Sequence, residues 1–546
     1  MLSNAEIADR LASLGQLLSM QKENPYKARA YRRAATKIRT LPDSVEEMVR
    51  EDADLTKFAG IGEAIASAIR EIVLTGELGK LEALRAEATP AVASLSEFPR
   101  LDPKRVLRVY KKLGIATVEE LRERLESGEI ERVMGLRTAQ HVRQGITETR
   151  AMLLYRADDL RAAVEEYLVT RCGVKRAAVT GDYRRRVEVV EELVFVVLTD
   201  DFPAVVERLQ RYGGRTPLQG SRNDQAVFAL SSGVLLRIQL ATESDWGTRM
   251  VVCTGSGAHV QKLGTLREFP NEEALYGALG MQFVEPELRE GTDELARAAS
   301  GRLPRLVTVG DLRGELHAHS TSSDGGDSIE AMAEAARARG YEYLGITDHS
   351  QSLKIARGVS IEDLRAQIRY IDQLNGRLNG FRVLKSSEVD ILADGTLDYP
   401  DELLRELDYT VCSIHSRFSL GKQEQTERIL RAMDNPYFRI LGHAIGRLLL
   451  TRPGYEIDVE RVIEQARQNG RYFEINSSPN RLDLPAEHVR RAAEAGVKIA
   501  INTDAHGVGE YALVRCGIDQ ARRAGLEASM VLNCQPLERL VALFRR

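Results

Sequence analysis

The chain has 546 residues with 76 Lys+Arg against 80 Asp+Glu, a formal net charge of −4, and is 43% hydrophobic and 29% charged. This length implies several domains of roughly 100–200 residues, and its longest apolar run, the strand-sized Leu193–Leu198, falls well short of the ~18 residues of a membrane span. Five scattered cysteines with no CxxC pair exclude a disulfide scaffold and a zinc knuckle, and the near-neutral total excludes a globally basic coat without excluding local basic faces. The N-terminus, an amphipathic pattern containing acids, does not resemble a secretion or transit signal, so the expected setting is a reducing cytoplasm without a membrane partner.

Residues 1–150 carry apolar positions at three-to-four spacing, which predicts short helices. Two basic clusters lie in this helical stretch. Between Lys22 and Arg39 seven bases face one acid, with Tyr26 and Tyr31 among them, and Arg100–Lys112 holds six bases and one acid. From about 151 to 300 a helix over Asp158–Leu168 and strands over Val187–Leu198 and Gly233–Leu240 predict an α+β fold. Pro286 to Pro304, rich in Ala and Gly, reads as a linker. After residue 311 seven short apolar strands alternate with amphipathic helices, which implies a parallel sheet, most economically a closed (β/α)7 barrel.

Nearly every strand of this last region ends in a residue able to bind metal: His317, His319 with Asp324 beyond them, His349, Glu388, His415, His443, Asp504 and His506. Six of the nine histidines of the chain are in this set. A parallel barrel brings all its C-terminal strand ends to one mouth, and residues two apart share a strand face, so His317 and His319 should point together with Leu316 and Ala318 opposed. Imidazole and carboxylate without thiolate suit manganese, zinc or iron. Nine donors exceed what one ion uses and imply two or three, a grouping suited to phosphoester hydrolysis. Arg357 and Arg447, just past strand ends, are candidate phosphate ligands, and Asp348 is a candidate to orient an imidazole.

The segments ELHAHSTSSDG, ITDHS, SEVD, SIHS, GHAIGR and NTDAH resemble the successive motifs of the PHP (polymerase and histidinol phosphatase) domain over roughly residues 311–546. The resemblance implies a trinuclear phosphoesterase whose ions, manganese first and zinc or iron as alternatives, are held by all nine donors named above. The upstream region resembles bacterial family X DNA polymerases. NPYKARAYRRAA and LTKFAGIGEAIASAI match the lyase-type domain and its helix-hairpin-helix, which marks Lys27, Tyr31, Lys57, Gly60 and Gly62 as DNA contacts. Ala64 and Ala68 stand where lyase-active members carry lysines, and without an amine no imine forms. The second hairpin has Arg100 and Asp102 in place of glycines.

Family members carry a Gly-Ser pair followed by D-x-D and a third Asp on a neighbouring palm strand. Here Asp182 replaces the serine, and Glu192, Val194 and Arg237 stand at the three carboxylate positions. Valine cannot bind magnesium and arginine repels it, so the polymerase centre is expected to be degenerate. The expected organisation is multidomain: 1–88 helical lyase-type, 89–152 second helical, 153–232 nucleotidyltransferase-like palm, 233–295 thumb-like, 296–310 linker and 311–546 PHP barrel. The expected function is metal-dependent 3′→5′ processing of gapped, nicked or 3′-ended DNA by a monomer whose polymerase module only holds DNA. An active template-directed polymerase with a proofreading PHP domain and a phosphatase of histidinol-phosphatase type are the alternatives.

Overall fold

The computed structural model describes residues 2–20, 25–87, 103–115, 117–135, 138–139, 142 and 151–545. Arg100 and Asp102 of the second hairpin, Lys22 and His141 lie outside the described residues. Two compact units divide the chain, Met1–Phe283 with Leu450–Arg452, and Val284–Leu449 with Pro453–Arg546.

The first unit begins with helices Asn4–Met20, Pro25–Thr40, Val45–Arg50 and Glu63–Thr75, whose apolar faces meet through Leu11, Leu14, Ile38, Ile69 and Ile72. Asn4 fixes the first turn to the segment before the third helix: its amide donates to the carbonyls of Leu41 and Asp43, and its oxygen accepts from Val45 N. Helices Pro103–Leu113, Val118–Glu126 and Glu129–Met134 pack on a separate small core of Val106, Val109, Leu121 and Ile130.

Beyond them, β1 (Met152–Leu153) pairs with β3 (Val189–Val190), and a five-stranded sheet runs β2-β4-β7-β6-β5. Its strands are β2 (Arg176–Thr180), β4 (Glu192–Leu198), β5 (Leu218–Arg222), β6 (Gln225–Ala229) and β7 (Leu235–Ala241). The period-two pattern of β4 explains its two-sided burial. Leu193, Phe195 and Val197 face helices Leu154–Thr170 and Phe202–Leu209, and Val196 faces Trp246 and Met250 on the helix Trp246–Thr254. The strand expected over Val187–Leu198 is therefore two pieces in different sheets. The domain boundary expected at 232 also falls inside this sheet, because β7 is its central strand, parallel to β4 and antiparallel to β6.

In the second unit the strands are β8 (Gly314–Ala318), β9 (Tyr343–Ile346), β10 (Arg382–Lys385), β11 (Glu388–Asp390), β12 (Val411–Ser413), β13 (Ile440–Leu441), β14 (Tyr472–Asn476) and β15 (Ile499–Asn502). All neighbouring pairs are parallel. Ser386 and Ser387 interrupt one strand into β10 and β11, a bridge from His349 to Glu388 spans that break, and a bridge from Ala318 to Ala505 closes the circuit. The result is the expected barrel of seven strand positions.

The lower interior is filled by Leu316, Tyr343, Leu384, Tyr409, Ile440 and Tyr472 and is closed by the helix Leu537–Phe544, whose Phe544 stacks on Tyr409 at 4.7 Å. Tyr409 donates its hydroxyl to the Leu316 carbonyl across the interior, and a Cβ on Gly345 would lie 1.7 Å from that hydroxyl oxygen. Only glycine fits there. Residues 296–310 are not a free linker: they include the end of the helix Glu294–Ala299, and Val307 N donates to Leu526 O. Residues 284–295, expected in the thumb, also belong to this unit, held by Glu287 to Arg522 at 2.7 Å and Glu290 to Arg523 at 3.3 Å. Between β11 and β12 the intervening helix is a single turn, Asp401–Leu404.

Candidate metal centre in the barrel mouth

The nine strand-end donors converge. Glu388 is the hub, with Oε2 2.9 Å from His349 Nδ1, 3.4 Å from His317 Nε2 and 3.6 Å from His319 Nε2, while Oε1 lies 2.8 Å from His443 Nε2 and 3.3 Å from His415 Nε2. Asp504 Oδ1 lies 2.9 Å from His319 Nε2 and 3.5 Å from His317 Nε2. Asp324 Oδ1 reaches His506 Nε2 at 3.4 Å and His349 Nε2 at 3.6 Å. Three overlapping groups have the compactness of a metal shell: His319, Asp324, His349 and His506; His317, His319, Glu388 and Asp504; and His349, Glu388 and His415. His443 is in none of the three groups, but its Nε2 lies 2.8 Å from Glu388 Oε1.

The path of β8 differs from simple alternation. A register shift between Glu315 and Ala318 puts Leu316 into the lower interior with Tyr343, while Ala318 faces the outer layer. Bulges of this kind re-aim side chains beside active sites. Here the bulge is pinned by the buried Glu315 carboxylate, which accepts from the backbone N–H groups of Leu316, His317 and Thr503.

Electrostatics link the donors tightly. Burial penalises charge on Glu388 and Asp504, yet the facing imidazoles outweigh it and hold both carboxyls well below the usual range. Burial likewise opposes a charge on His317, but Glu474, Asp504 and Glu388 raise its pKa well above the ordinary value. His415 is raised to about 10 and His506 to about 9, each by neighbouring carboxylates acting against burial, whereas burial keeps His319 below its ordinary value.

Several buried donor atoms have no hydrogen-bond partner, including His317 Nε2, His319 Nδ1, His349 Nδ1 and Glu388 Oε2. Buried polar atoms are normally satisfied. Of these, Glu388 Oε2 lies 2.9 Å from His349 Nδ1 and 3.4 Å from His317 Nε2, and His319 Nδ1 lies 3.9 Å from Asp324 Oδ1. That arrangement, with mixed nitrogen and oxygen donors and no thiolate, fits divalent cations.

A second layer orients the imidazoles. Glu474 Oε1 lies 2.7 Å from His317 Nδ1, and its Oε2 accepts from His443 N at 2.8 Å. Asp390 Oδ1 lies 2.9 Å from His415 Nδ1, and the Asn476 amide donates to Asp504 Oδ2 at 3.0 Å. Sequence reasoning missed Glu474 and Asp390. The available signal was an acid within each of the strand segments YFEIN and SEVD, the latter two residues past Glu388. Asp348, expected to orient an imidazole, instead accepts from Ser320 N and Oγ, Ser323 Oγ and Gln367 Nε2, which fixes the loop that carries Asp324.

The two arginines differ. Arg357 is exposed, in the left-handed conformation at φ 56°. Arg447 is partly buried and donates Nε to the Arg481 carbonyl at 2.9 Å and a terminal nitrogen to the Leu482 carbonyl, so it braces a loop. Those bonds commit much of the guanidinium expected to meet phosphate.

In the other unit, Glu192, Val194 and Arg237 do share one sheet face, with Val194 paired to Arg237 across β4 and β7. Arg237 grips Glu192 with both Nε and a terminal nitrogen, at 3.0 and 2.9 Å, and Asp182 is paired with Arg185. Among the described residues no metal-competent group of acids forms here. In the helical region Lys27 and Lys57 are exposed, and Gly62 opens the helix Glu63–Thr75 without a side-chain cap. Gly60, at φ 88°, has open space around it. Tyr31 departs from expectation: its ring is 6% exposed within the helical core, and Tyr26 is the aromatic on the solvent face. Ala68 is buried and Ala64 exposed, so neither supplies an amine.

Barrel, donor set and helical hairpin together define a protein that joins a PHP-type barrel to a helix-hairpin-helix region. A helix-hairpin-helix domain model matches residues 2–78, and a PHP domain model matches residues 315–478. The DNA polymerase/3′-5′ exonuclease PolX of Bacillus subtilis (strain 168) is 32% identical over 571 aligned residues, covering 99% of each chain. The chain therefore belongs to the bacterial family X DNA polymerases with a C-terminal PHP domain. The barrel alone is similar to a probable phosphatase of Thermoanaerobacter sp. (strain X514), 29% identical over 40% of this chain and 89% of that protein. A probable phosphatase of Acetivibrio thermocellus is 30% identical over 35% of this chain and 78% of its own length.

Proposed function

We propose that the barrel is a metal-dependent phosphodiesterase that removes nucleotides or blocking groups from DNA 3′ ends. On this reading the polymerase module holds the DNA without extending it. The observation that carries the hydrolytic half is the three overlapping donor groups around Glu388, with buried nitrogens and oxygens that lack hydrogen-bond partners.

The nine donors His317, His319, Asp324, His349, Glu388, His415, His443, Asp504 and His506 would hold two or three divalent ions, manganese first and zinc or iron as alternatives. Bound there, the ions would supply a water acidic enough to give hydroxide near neutral pH and positive charge for the phosphate oxygens. The chain itself fixes the geometry. Glu474 and Asp390 set the tautomer and ring plane of His317 and His415, and the imidazoles pack on one another, His319 on His506 at 4.3 Å. Arg357, exposed beside the mouth, is free to contact the DNA backbone. Lys27, Lys57 and the Gly60-Ile61-Gly62 turn, with its uncapped helix start, are suited to phosphates of a gapped or nicked duplex.

Loss of nucleotidyl transfer follows from the palm pairing. Two magnesium ions need several carboxylates, and the one retained here, Glu192, is neutralised by Arg237. The relatives called probable phosphatases favour small phosphomonoesters as an alternative substrate for the barrel, but they lack the helical half. With manganese and a 5′-labelled gapped duplex, the purified protein should shorten the strand from its 3′ end, and chelator or His317→Ala should abolish this. Turnover of p-nitrophenyl phosphate with no shortening of any DNA would decide for the phosphatase.

A further inference from the structure

The loop leaving β9 carries an apolar side chain in an unusual position. Ile355 is 94% exposed, the most exposed large hydrophobic among the described residues. Scattered exposed apolar residues need no explanation, but this one tops a loop held rigidly at the donor cluster. The loop runs from Ser350 to Val359, and its ends are stitched together: Val359 N donates to His349 O at 2.8 Å, and Ser350 bridges Val359. The neck admits no side chain at Gly358, where a Cβ would lie 2.1 Å from Ser350 O. Ser352 ties the rising limb down, with Oγ donating to Asp390 Oδ2 and N donating to Asp398 Oδ2, both at 2.8 Å. Asp390 is the same carboxylate that orients His415. Ala356, 5% exposed, anchors the far side of Ile355.

Three residues of chain span at most about 10 Å, so Ile355 stands within about that distance of Ser352, whose hydroxyl is bonded to the carboxylate that positions His415. The side chains beside it have matching chemistry for a nucleic acid strand. Lys354 and Arg357 are both exposed, and neither forms an ion pair among the described residues. A rigid apolar tip between two cations, rooted at a phosphodiester-cleaving centre, presents one surface to a base and two charges to its flanking phosphates.

We propose that Ile355 is the platform for the nucleobase of the strand end whose phosphodiester lies in the donor cluster, so that the site selects ends carrying a base. This rests on the exonuclease reading above. The tip lies outside every core cluster, so substitution there does not touch folding.

The test compares kcat/KM for two single-stranded oligonucleotides, one with an ordinary 3′ nucleotide and one ending in a base-free deoxyribose unit. The ratio of the two constants should fall about three- to tenfold in Ile355→Asp and be kept in Ile355→Phe, since apolar contact and stacking on a base account for an effect of that size. Metal content and Tm of each variant, expected unchanged, report integrity. An unchanged ratio in Ile355→Asp, or an equal loss on both ends, overturns the assignment while leaving the exonuclease reading intact. A wild-type protein that hydrolyses bis(p-nitrophenyl) phosphate but neither oligonucleotide overturns the exonuclease reading, and this assignment with it.

Discussion

The palm face and the barrel mouth both collect charged side chains on sheet surfaces, but they treat them in opposite ways. In the palm, the guanidinium of Arg237 closes on Glu192, and Asp182 is taken by Arg185. In the mouth, among the described residues, no arginine or lysine pairs with Asp324, Glu388 or Asp504, and their ion-pair partners are imidazoles, which can give up a proton and stay as ligands. Arginine never deprotonates in a protein, so a carboxylate paired with it is spoken for. A carboxylate paired with histidine stays available to a cation at the cost of a proton. Metal competence here depends on the identity of the counter-charge more than on the number of acids.

The largest break in that comparison should come from Glu388→Gln, which removes the shared hub. Hydrolysis should fall by about a thousandfold or more, with metal content measured on the purified protein falling in parallel; full activity with full metal would refute the hub. Primer extension with dNTPs and magnesium in a His317→Ala background should give no product, and extension there would show the palm to be alive. Glu474→Gln keeps the volume but weakens the orientation of His317, and should lower metal affinity or activity by about 10–100-fold, read by titration of metal-free protein.

Protons should mark the same contrast. Metal-free, His415 with a pKa of about 10 and His506 of about 9 are charged at pH 7, so loading metal must release protons, seen as a buffer-dependent binding enthalpy, and affinity should rise with pH. Both values lie above the ordinary 6.5, so their contribution to stability is full below that pH and is lost as pH climbs through 9 and 10. Chelated protein should therefore lose Tm over that window more than metal-loaded protein does. The smallest effect belongs to Arg237→Ala, whose partly exposed pair should contribute about 1 kcal/mol or less, measured by denaturant unfolding.

Much of the mouth was legible in the sequence because a parallel barrel turns a linear periodicity into a convergence: a donor at each strand end is enough. Glu474 and Asp390 were not, since an acid within a strand reveals its partner only once distant strands are in register. Asp348 was misread for the same reason, its partners Ser320, Ser323 and Gln367 lying 19–28 residues away. Tyr31 sits in a basic run, but helix periodicity turns its ring into the core. The palm boundary failed because β7 joins β4 across about 40 residues of sequence, a pairing with no local signature.

The pairing of Arg237 with Glu192 also has a consequence for descent. On the reading proposed for the palm, Val194→Asp alone would set a new acid directly beside Arg237, which is its strand partner, and form another closed pair. Arg237→Asp alone would place two acids near a valine and strip Glu192 of its counter-charge. On that reading neither single step would restore nucleotidyl transfer for selection to favour, and the arginine would work as a ratchet. Lineages that acquired it would be expected to drift further from polymerisation while their barrel mouth stays under constraint.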